Sequence, residues 1–180
     1  MSARSLALIA MAAVIICVCS WITVPFTVPF IMQTFGVACA LLLLGGRRGL
    51  AAIGLYVLLG IVGLPVFSGF RGGLGHLLGP TGGYILGFLF TGLTFLLLEP
   101  VLPEKPYVLR ILLLEGCLLP CYLVGTLWFT AVSRMKGSAP GFFTALTLCV
   151  LPYLLPDLAK LILAERVAHR VRKQLPGLRE

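Results

Sequence analysis

Residues 152–164 read PYLLPDLAKLILA and place one aspartate and one lysine in an otherwise apolar run. Asp157 and Lys160 are three positions apart, so on a helix they share one face and can neutralise each other. A charged side chain at membrane depth costs from about 2.5 kcal/mol upward, and such residues usually face a bundle interior and serve a site. Three interpretations stay open here: a structural ion pair, a polar ligand site and a proton relay.

The composition of the whole chain indicates an integral membrane protein. Hydrophobic residues make up 59% of the 180 residues, charged residues make up 11%, and the mean hydropathy is +1.08. These values lie far outside the range of soluble domains. The apolar runs leave only short connections between them, so we predict a single transmembrane domain over residues 1–180, in a multi-pass protein of the cell membrane.

Six apolar runs are candidate transmembrane helices: residues 5–24, 31–44, 50–64, 81–98, 108–133 and 140–168. The second and third would each be only about 21 to 23 Å long as helices, against about 30 Å of hydrocarbon. Short helices are tolerated where the bilayer thins. The count falls to four if this short pair forms re-entrant segments.

The distribution of Lys and Arg favours six crossings with both termini cytoplasmic, because cytoplasmic loops collect positive charge. Six crossings place three cations on the outer side: Arg71, Arg134 and Lys136. They place ten cations on the side of the two termini: Arg4, Arg47, Arg48, Lys105, Arg110, Arg166, Arg170, Arg172, Lys173 and Arg179. The predicted fold class is therefore all-α, with six transmembrane helices, ordered outer loops at 23–33 and 63–80, and both ends cytoplasmic.

The second outer loop is rich in glycine and is predicted to be packed. Residues 63–84 contain eight glycines and two prolines, but apolar side chains alternate with them, which flexible linkers rarely show. Exposed backbone N–H groups of such a loop suit an anion or a carboxylate. Its ionisable side chains are Arg71 and His76. Arg71 is read as a ligand contact or a headgroup anchor, and His76 chiefly as a structural or surface residue.

Several function classes are disfavoured by the motifs that the sequence lacks. It contains no G-x-x-x-x-G-K-[ST] phosphate loop, no H-E-x-x-H and no G-x-S-x-G, so ATP hydrolysis by that route and intramembrane hydrolysis have little support. The six cysteines lie in apolar runs without a further metal-ligand set. Basic and aromatic residues do not interleave as they do in nucleic-acid binders. We predict a small binding bundle that is not an enzyme and needs no cofactor.

Three segments resemble one known family, at matching spacing and over most of the chain. They are TVPFTVPFIMQTFGV at 23–37, GLPVFSGFRGGLGHLLGPTGGYILGF at 63–88 and PDLAK at 156–160. They resemble the BioY family, the biotin-specific S components of energy-coupling factor transporters. The resemblance implies a six-helix protein that captures biotin and works with a membrane coupling subunit and paired ATPases, which would explain the missing phosphate loop.

The chemistry of biotin fits the residues singled out above, and for Asp157 and Lys160 the resemblance implies the same ligand contacts. Biotin has a ureido ring, with two N–H donors and one carbonyl, and a valerate tail that ends in a carboxylate. Asp157 would accept from the ureido N–H groups, and Lys160 would donate to the carbonyl. The tail carboxylate and the polar edge of the ligand would be met by Arg71, Gly72, Gly73, Gly75, Tyr84 and Gln33. Aromatic candidates for the wall are Phe26, Phe30, Phe67 and Trp128, although core packing is the more common role of such residues.

A small-residue stripe in the first helix is the candidate docking face for the coupling subunit. Ala3 and Ala7 have the AxxxA spacing that lets membrane helices approach closely, and Ala10 extends it. The alternative function is a stand-alone proton-coupled carrier that uses Asp157 and Lys160 as a relay. Such a carrier would transport without any ATPase, whereas an S component would co-purify with its coupling partners.

Overall fold

The computed structural model describes residues 2–24, 30–102, 106–137, 141–175 and 178. Over these residues the protein is all-α apart from one pair of two-residue strands, which confirms the predicted fold class at that level. The helices are α1 (Ala3–Trp21), α2 (Gln33–Leu44), α3 (Gly46–Val62), α4 (Leu74–Leu77), α5 (Gly82–Leu98), α6 (Tyr107–Gly116), α7 (Leu119–Met135), α8 (Phe142–Cys149) and α9 (Leu151–Gln174). The strands are β1 (Thr23–Val24) and β2 (Phe30–Ile31).

Three helical segments among the described residues are long and apolar enough to cross a membrane: Ala3–Trp21, Tyr107–Met135 and Phe142–Gln174. Two shorter apolar helices, Gln33–Leu44 and Gly82–Leu98, accompany them. Helices of this length and composition are typical of membrane proteins, in which a helix satisfies its own backbone hydrogen bonds within the lipid.

The last two predicted helices are each divided in the structure. The segment predicted at 108–133 is broken between α6 and α7, and the segment predicted at 140–168 is broken at Val150, after which α9 continues to Gln174. Pro120 and Pro152 lie in the first turns of α7 and α9. Proline has no N–H group, so it disrupts a helix interior but is favoured in a first turn. The two prolines therefore explain why a new helix begins at each of these positions.

Glycine allows the central helices to approach closely. An added Cβ at Gly83 would overlap Trp128, and one at Gly125 would overlap the ring of Tyr84, so α5 and α7 pack backbone against side chain. On the other side of the molecule α1, α2 and α3 pack on one another, and α2 packs along α9. Close packing through small residues is the usual way in which membrane helices associate.

The glycine-rich loop is folded onto the helices. Phe67 is fully buried, its ring lies edge-on to Tyr56 at 5.6 Å between centroids, and it stacks on His76 at 5.5 Å. The Gly73 N–H donates to the Gly60 carbonyl at 2.7 Å, which ties the loop to the end of α3. The loop is therefore an ordered part of the core.

The same loop is fastened to the end of α1. The Ser20 hydroxyl donates to the Val66 carbonyl at 2.5 Å, and the Trp21 indole N–H donates to the Pro65 carbonyl at 2.9 Å. Phe70 has a φ of 56° and stacks on Trp21 at 4.9 Å between centroids. A non-glycine residue in this left-handed region is uncommon. At Phe70 this backbone conformation occurs together with the stacking of its ring on Trp21.

The first outer loop is described only at its ends. Thr23 pairs with Ile31 and Val24 pairs with Phe30 in an antiparallel arrangement. Residues 25–29, which include Phe26, lie outside the described residues. The Met32 N–H donates to the Ile22 carbonyl at 3.0 Å, so β2 leads directly from this pairing into α2.

We predict that Gly60→Ala destabilises the protein by about 1 to 3 kcal/mol, the range for overpacking a filled core. The new Cβ would overlap the Phe67 ring, and that ring cannot retreat because it is fully buried. The measurement is thermal unfolding in detergent. Gly54→Ala is the control, since Gly54 lies in the same helix and a Cβ added there would have no heavy atom within 4 Å. Equal melting temperatures of the two variants would contradict this account of the packing.

Candidate functional site

A cavity of about 670 Å³ lies between the glycine-rich loop and the helices α2, α5, α7 and α9. This volume is typical of small-molecule sites. Its polar and ionisable lining residues include Gln33, Arg71, His76, Tyr84, Tyr122, Lys136, Asp157 and Lys160. These residues come from distant parts of the chain. They include most of the ionisable groups that the sequence analysis assigns to the outer half of the protein.

The charged pair of the opening sequence lies in this cavity and is buried. Asp157 and Lys160 are each 4% exposed, and the Lys160 ammonium donates to Asp157 Oδ1 at 2.8 Å. The same ammonium donates to the Ile31 carbonyl at 2.7 Å and lies 3.9 Å from the centre of the Phe30 ring. A cation over an aromatic face is attracted by the ring quadrupole. Strand β2 therefore helps to fix the lysine.

Tyr122 completes the cluster and was not identified from the sequence. Its hydroxyl donates to Asp157 Oδ2 at 2.7 Å, from a helix that is 35 positions away in the chain. Both oxygens of Asp157 thus accept from protein groups, yet an ionised carboxylate has about four acceptor positions and an ammonium has three donors. With two donors of Lys160 used within the described residues, the pair can still accept from and donate to a ligand. The sequence did contain a signal for this residue, because Tyr122 lies in an apolar helix. A tyrosine hydroxyl buried there usually needs a hydrogen-bond partner.

A second carboxyl group lies beside the cluster without lining the cavity. Glu115 lies within range of the charges of Asp157 and Lys160 and is next to Tyr122. Its two oxygens are buried, and neither makes a well-oriented hydrogen bond with a described residue. The ammonium of Lys160 therefore lies near two acidic side chains, which makes its positive charge important for the electrostatic balance of the cluster.

Gln33 and Tyr84 line the cavity and are held by partners in the protein. Gln33 is 6% exposed, and its amide donates to the Tyr56 hydroxyl at 3.0 Å. The Tyr84 hydroxyl lies 3.2 Å from Thr126 Oγ1. Each side chain is thus oriented before any ligand arrives, which reduces the entropy lost on binding.

Two cations, Arg71 and Lys136, and the imidazole of His76 also line the cavity. Arg71 is fixed at its backbone by two hydrogen bonds with Phe67, at 2.8 and 3.3 Å. Lys136 arrives from the end of α7 and was assigned from the sequence only to an outer connection. No hydrogen bond or ion pair between described residues joins these cations to Asp157 or Lys160.

The three predicted loop glycines are placed differently. Gly75 lines the cavity, whereas Gly72 and Gly73 do not. An added Cβ at Gly72 would overlap the Leu64 carbonyl, and the Gly73 N–H is already bonded to Gly60. The structure thus gives Gly72 and Gly73 a role in folding the loop, and the Gly73 N–H is not available to a ligand.

The proposed aromatic wall is also placed differently. Phe67 is in the core, and Trp128 packs over Gly83 and donates its indole N–H to the Gly79 carbonyl at 2.9 Å. Neither lines the cavity, while Phe30 lies beside Lys160. The apolar lining comes from Ile31, Ile85, Phe88, Leu118 and Phe129.

The cavity can therefore accept a ligand that has a neutral polar head and an anionic end. The buried pair offers an acceptor and a donor with no net charge, and charge-assisted hydrogen bonds are stronger than neutral ones. The separate cations Arg71 and Lys136 suit a carboxylate or another anion. The predicted docking residues Ala3 and Ala7 lie elsewhere, exposed on the outer face of α1.

Comparison with known proteins gives the same picture of the fold. The chain matches the model of the BioY family over residues 1–177. It is 37% identical over 174 residues to the "Probable biotin transporter BioY" of Pyrococcus horikoshii, covering 96% of this chain and 98% of that protein. It is 34% identical over 160 residues to the "Biotin transporter BioY" of Thermotoga maritima, covering 88% and 90%. A solved structure, the S-component for biotin from an ECF-type ABC transporter, superposes with a TM-score of 0.80 at 26% identity, covering 96% and 95%.

We predict a pH dependence of stability from His76. Partial burial and then the positive charge of Arg71 lower the pKa of His76 below its usual value of 6.5. The unfolded chain thus takes up a proton at a pH where the folded protein does not. The stabilising contribution is complete above about pH 6.5 and is lost as the pH falls through the lower folded pKa.

The measurement is the melting temperature between about pH 7.5 and pH 5.5. We expect a shallower decline for His76→Gln than for the unaltered chain. His169→Gln, at the far end of α9, is measured in parallel to separate the loss of His76 from the general effect of removing one histidine. Identical slopes for the unaltered chain and His76→Gln would refute the prediction.

Proposed function

The chain belongs to the BioY family, and on this premise we propose that it is the biotin-binding S component of an ECF-type transporter. It is a multi-pass protein of the cell membrane, a transport protein and not an enzyme, and it takes up biotin. The observation that supports this assignment most strongly is the buried Tyr122–Asp157–Lys160 cluster in a cavity of about 670 Å³. Its size and polarity match those of a bicyclic ligand with one carboxylate.

The ureido ring of biotin fits the donors and acceptors of the cluster. Asp157 accepts from the ureido N–H groups through its remaining lone pairs, and Lys160 donates its remaining N–H to the ureido carbonyl. Tyr122 and the Ile31 carbonyl hold the pair in position while it does so. In a site from which water is excluded these hydrogen bonds are stronger than they would be in solvent.

The valerate carboxylate lies, in this proposal, at the cationic part of the cavity. Arg71 is the principal partner because a guanidinium can hold a carboxylate with two parallel hydrogen bonds. Lys136 adds positive charge, and His76 and the loop at Gly75 add polar contacts. Gln33 and Tyr84 meet the polar edge of the ligand, and the apolar lining faces the sulfur-containing ring and the aliphatic chain.

The proposed topology has six crossings with both termini cytoplasmic. The crossings are α1, α2, α3, α5, α6 with α7, and α8 with α9. Support comes from the excess of Lys and Arg on the side of the termini, which is the usual cytoplasmic signature. The biotin cavity then opens toward the outside, from which the vitamin arrives.

Energy for uptake comes, in this proposal, from partner chains. The sequence has no phosphate loop, so a membrane coupling subunit and paired ATPases would supply the ATP-driven step. The exposed Ala3 and Ala7 on α1 provide a smooth face for a helix of the coupling subunit.

The function is tested by labelled-biotin binding to the purified protein in detergent. We expect Asp157→Asn and Lys160→Met each to weaken binding by about tenfold to more than a hundredfold, because each removes a charge-assisted hydrogen bond. Arg166→Gln is the matched control, a charge removed from the exposed face of the same helix. No binding by the folded, monodisperse unaltered chain would overturn the assignment to biotin.

The position of the carboxylate is tested with a neutral biotin analogue, the primary amide. We expect Arg71→Gln to weaken biotin binding by about tenfold or more and to leave binding of the amide nearly unchanged, since only biotin carries the negative charge. Arg134→Gln, which removes a cation that does not line the cavity, should affect neither ligand. An equal loss for both ligands in Arg71→Gln would place the carboxylate elsewhere.

A further inference from the structure

A second cavity, of about 370 Å³, lies at the other end of the helices that form the biotin cavity. The biotin cavity uses the first residues of α2 and α5 and the first half of α9. The second cavity uses Leu42 near the end of α2, Phe95 near the end of α5, Arg110 near the start of α6, and the last turns of α9. The two cavities are therefore distinct sites on opposite halves of the bundle.

The lining of the second cavity carries a net positive charge. Its permanent cations are Arg110, Arg172 and Lys173, and its carboxylates are Glu99 and Glu165. Glu99 accepts a hydrogen bond from the Gly46 N–H at 2.7 Å, at the start of α3, and so serves the fold. Two carboxylates therefore face three permanent cations.

Glu165 holds two guanidinium groups at the wall of the cavity. It is 2% exposed and forms ion pairs with Arg110 and, at 3.8 Å, with Arg172. Each guanidinium has five N–H donors, and a single carboxylate cannot engage both sets. Arg110 and Arg172 remain 25% and 27% exposed at their side chains. Donors in a fixed fork geometry are therefore left for an anion, and such a fork matches phosphate.

Further features of this cluster also point to a ligand. Oε2 of Glu165 is buried and makes no hydrogen bond with a described residue, so a hydroxyl donor would satisfy it. Lys173 forms no ion pair with any described residue. The cluster thus has guanidinium and ammonium donors to spare and one buried acceptor, Glu165 Oε2, without a hydrogen bond.

The rest of the lining is apolar, which distinguishes an amphiphile from a free ion. Leu42, Phe95, Leu102 and Leu114 form this part of the wall. In the topology proposed above, this end of the bundle meets the cytoplasmic leaflet, where anionic lipids are concentrated. Basic pockets between transmembrane helices on that side are a known type of lipid headgroup site.

We propose that the cavity between Arg110, Arg172 and Lys173 binds the phosphate of an anionic glycerophospholipid from the cytoplasmic leaflet. The guanidinium groups, positioned by Glu165, bind the phosphate, and Lys173 adds a long-range attraction. A headgroup hydroxyl donates to Glu165, and the glycerol backbone contacts the apolar wall. The lipid then bridges α6 and α9 at the end of the bundle where both helices carry cations.

The experiment titrates the purified full chain in a neutral detergent with short-chain phosphatidylglycerol and follows the melting temperature. Retained lipid is counted in parallel by native mass spectrometry. Phosphatidylcholine of the same chain length and inorganic phosphate are the comparison ligands. The variants are Lys173→Gln and the double variant Arg172→Gln with Lys173→Gln. The control, Arg166→Gln with Arg170→Gln, removes as much charge from the exposed face of the same helix.

We expect phosphatidylglycerol to raise the melting temperature of the unaltered chain and of the control, with apparent affinity at least tenfold weaker in the double variant. Lys173→Gln, which breaks no ion pair with a described residue, should show an intermediate loss even if the double variant is poorly folded. Biotin binding is measured on every variant and should be unchanged, so that this test is independent of the proposed transport function.

Three outcomes would overturn the proposal. An equal loss of lipid affinity in the control would show that only total charge matters. An equal response to phosphatidylcholine would show that the anion is not recognised. A shift with inorganic phosphate as large as that with phosphatidylglycerol, at equal concentration, would assign the cavity to a free phosphate and not to a lipid.

Discussion

The cost of holding charge in a membrane interior is the constraint on which the rest of this structure depends. Asp157 and Lys160 are each 4% exposed, and the pair is kept together by Tyr122 on one side and the Ile31 carbonyl on the other. Ion pairs of this kind contribute little net stability but become very unfavourable if one partner is lost. Their presence in the cavity is consistent with the ligand-binding role proposed for the pair.

The glycine-rich loop brings Arg71 and Gly75 to the same cavity as this pair. Phe67 enters the core above Gly60, and the hydrogen bonds from Ser20 and Trp21 fasten the loop to α1. Glycine is required at Gly60 because no Cβ fits beneath the ring, and this explains the composition of the region better than flexibility does. A rigid loop can hold Arg71 in place before the ligand binds, which lowers the entropic cost of binding.

The two cavities of the bundle divide the positive charge of the protein between two tasks. Arg71 and Lys136 line the biotin cavity, and Arg110 and Arg172 line the cavity at the opposite end. In the roles proposed for these cavities, part of the formal net charge of +8 serves ligand binding as well as topology. Helix α9 contributes residues to both cavities.

The sequence by itself determined the properties that depend on local spacing and composition: the all-α membrane class, the shared face of Asp157 and Lys160, and the family resemblance carried by contiguous motifs. Only the tertiary structure decided which distant residues complete the site. Tyr122 reaches Asp157 from 35 positions away, Lys136 joins Arg71 at one cavity, and the Gly73 N–H is already bonded within the fold. The physical reason is that helix periodicity fixes neighbours only three or four residues apart, whereas contacts between helices depend on packing and on where helices such as α9 begin.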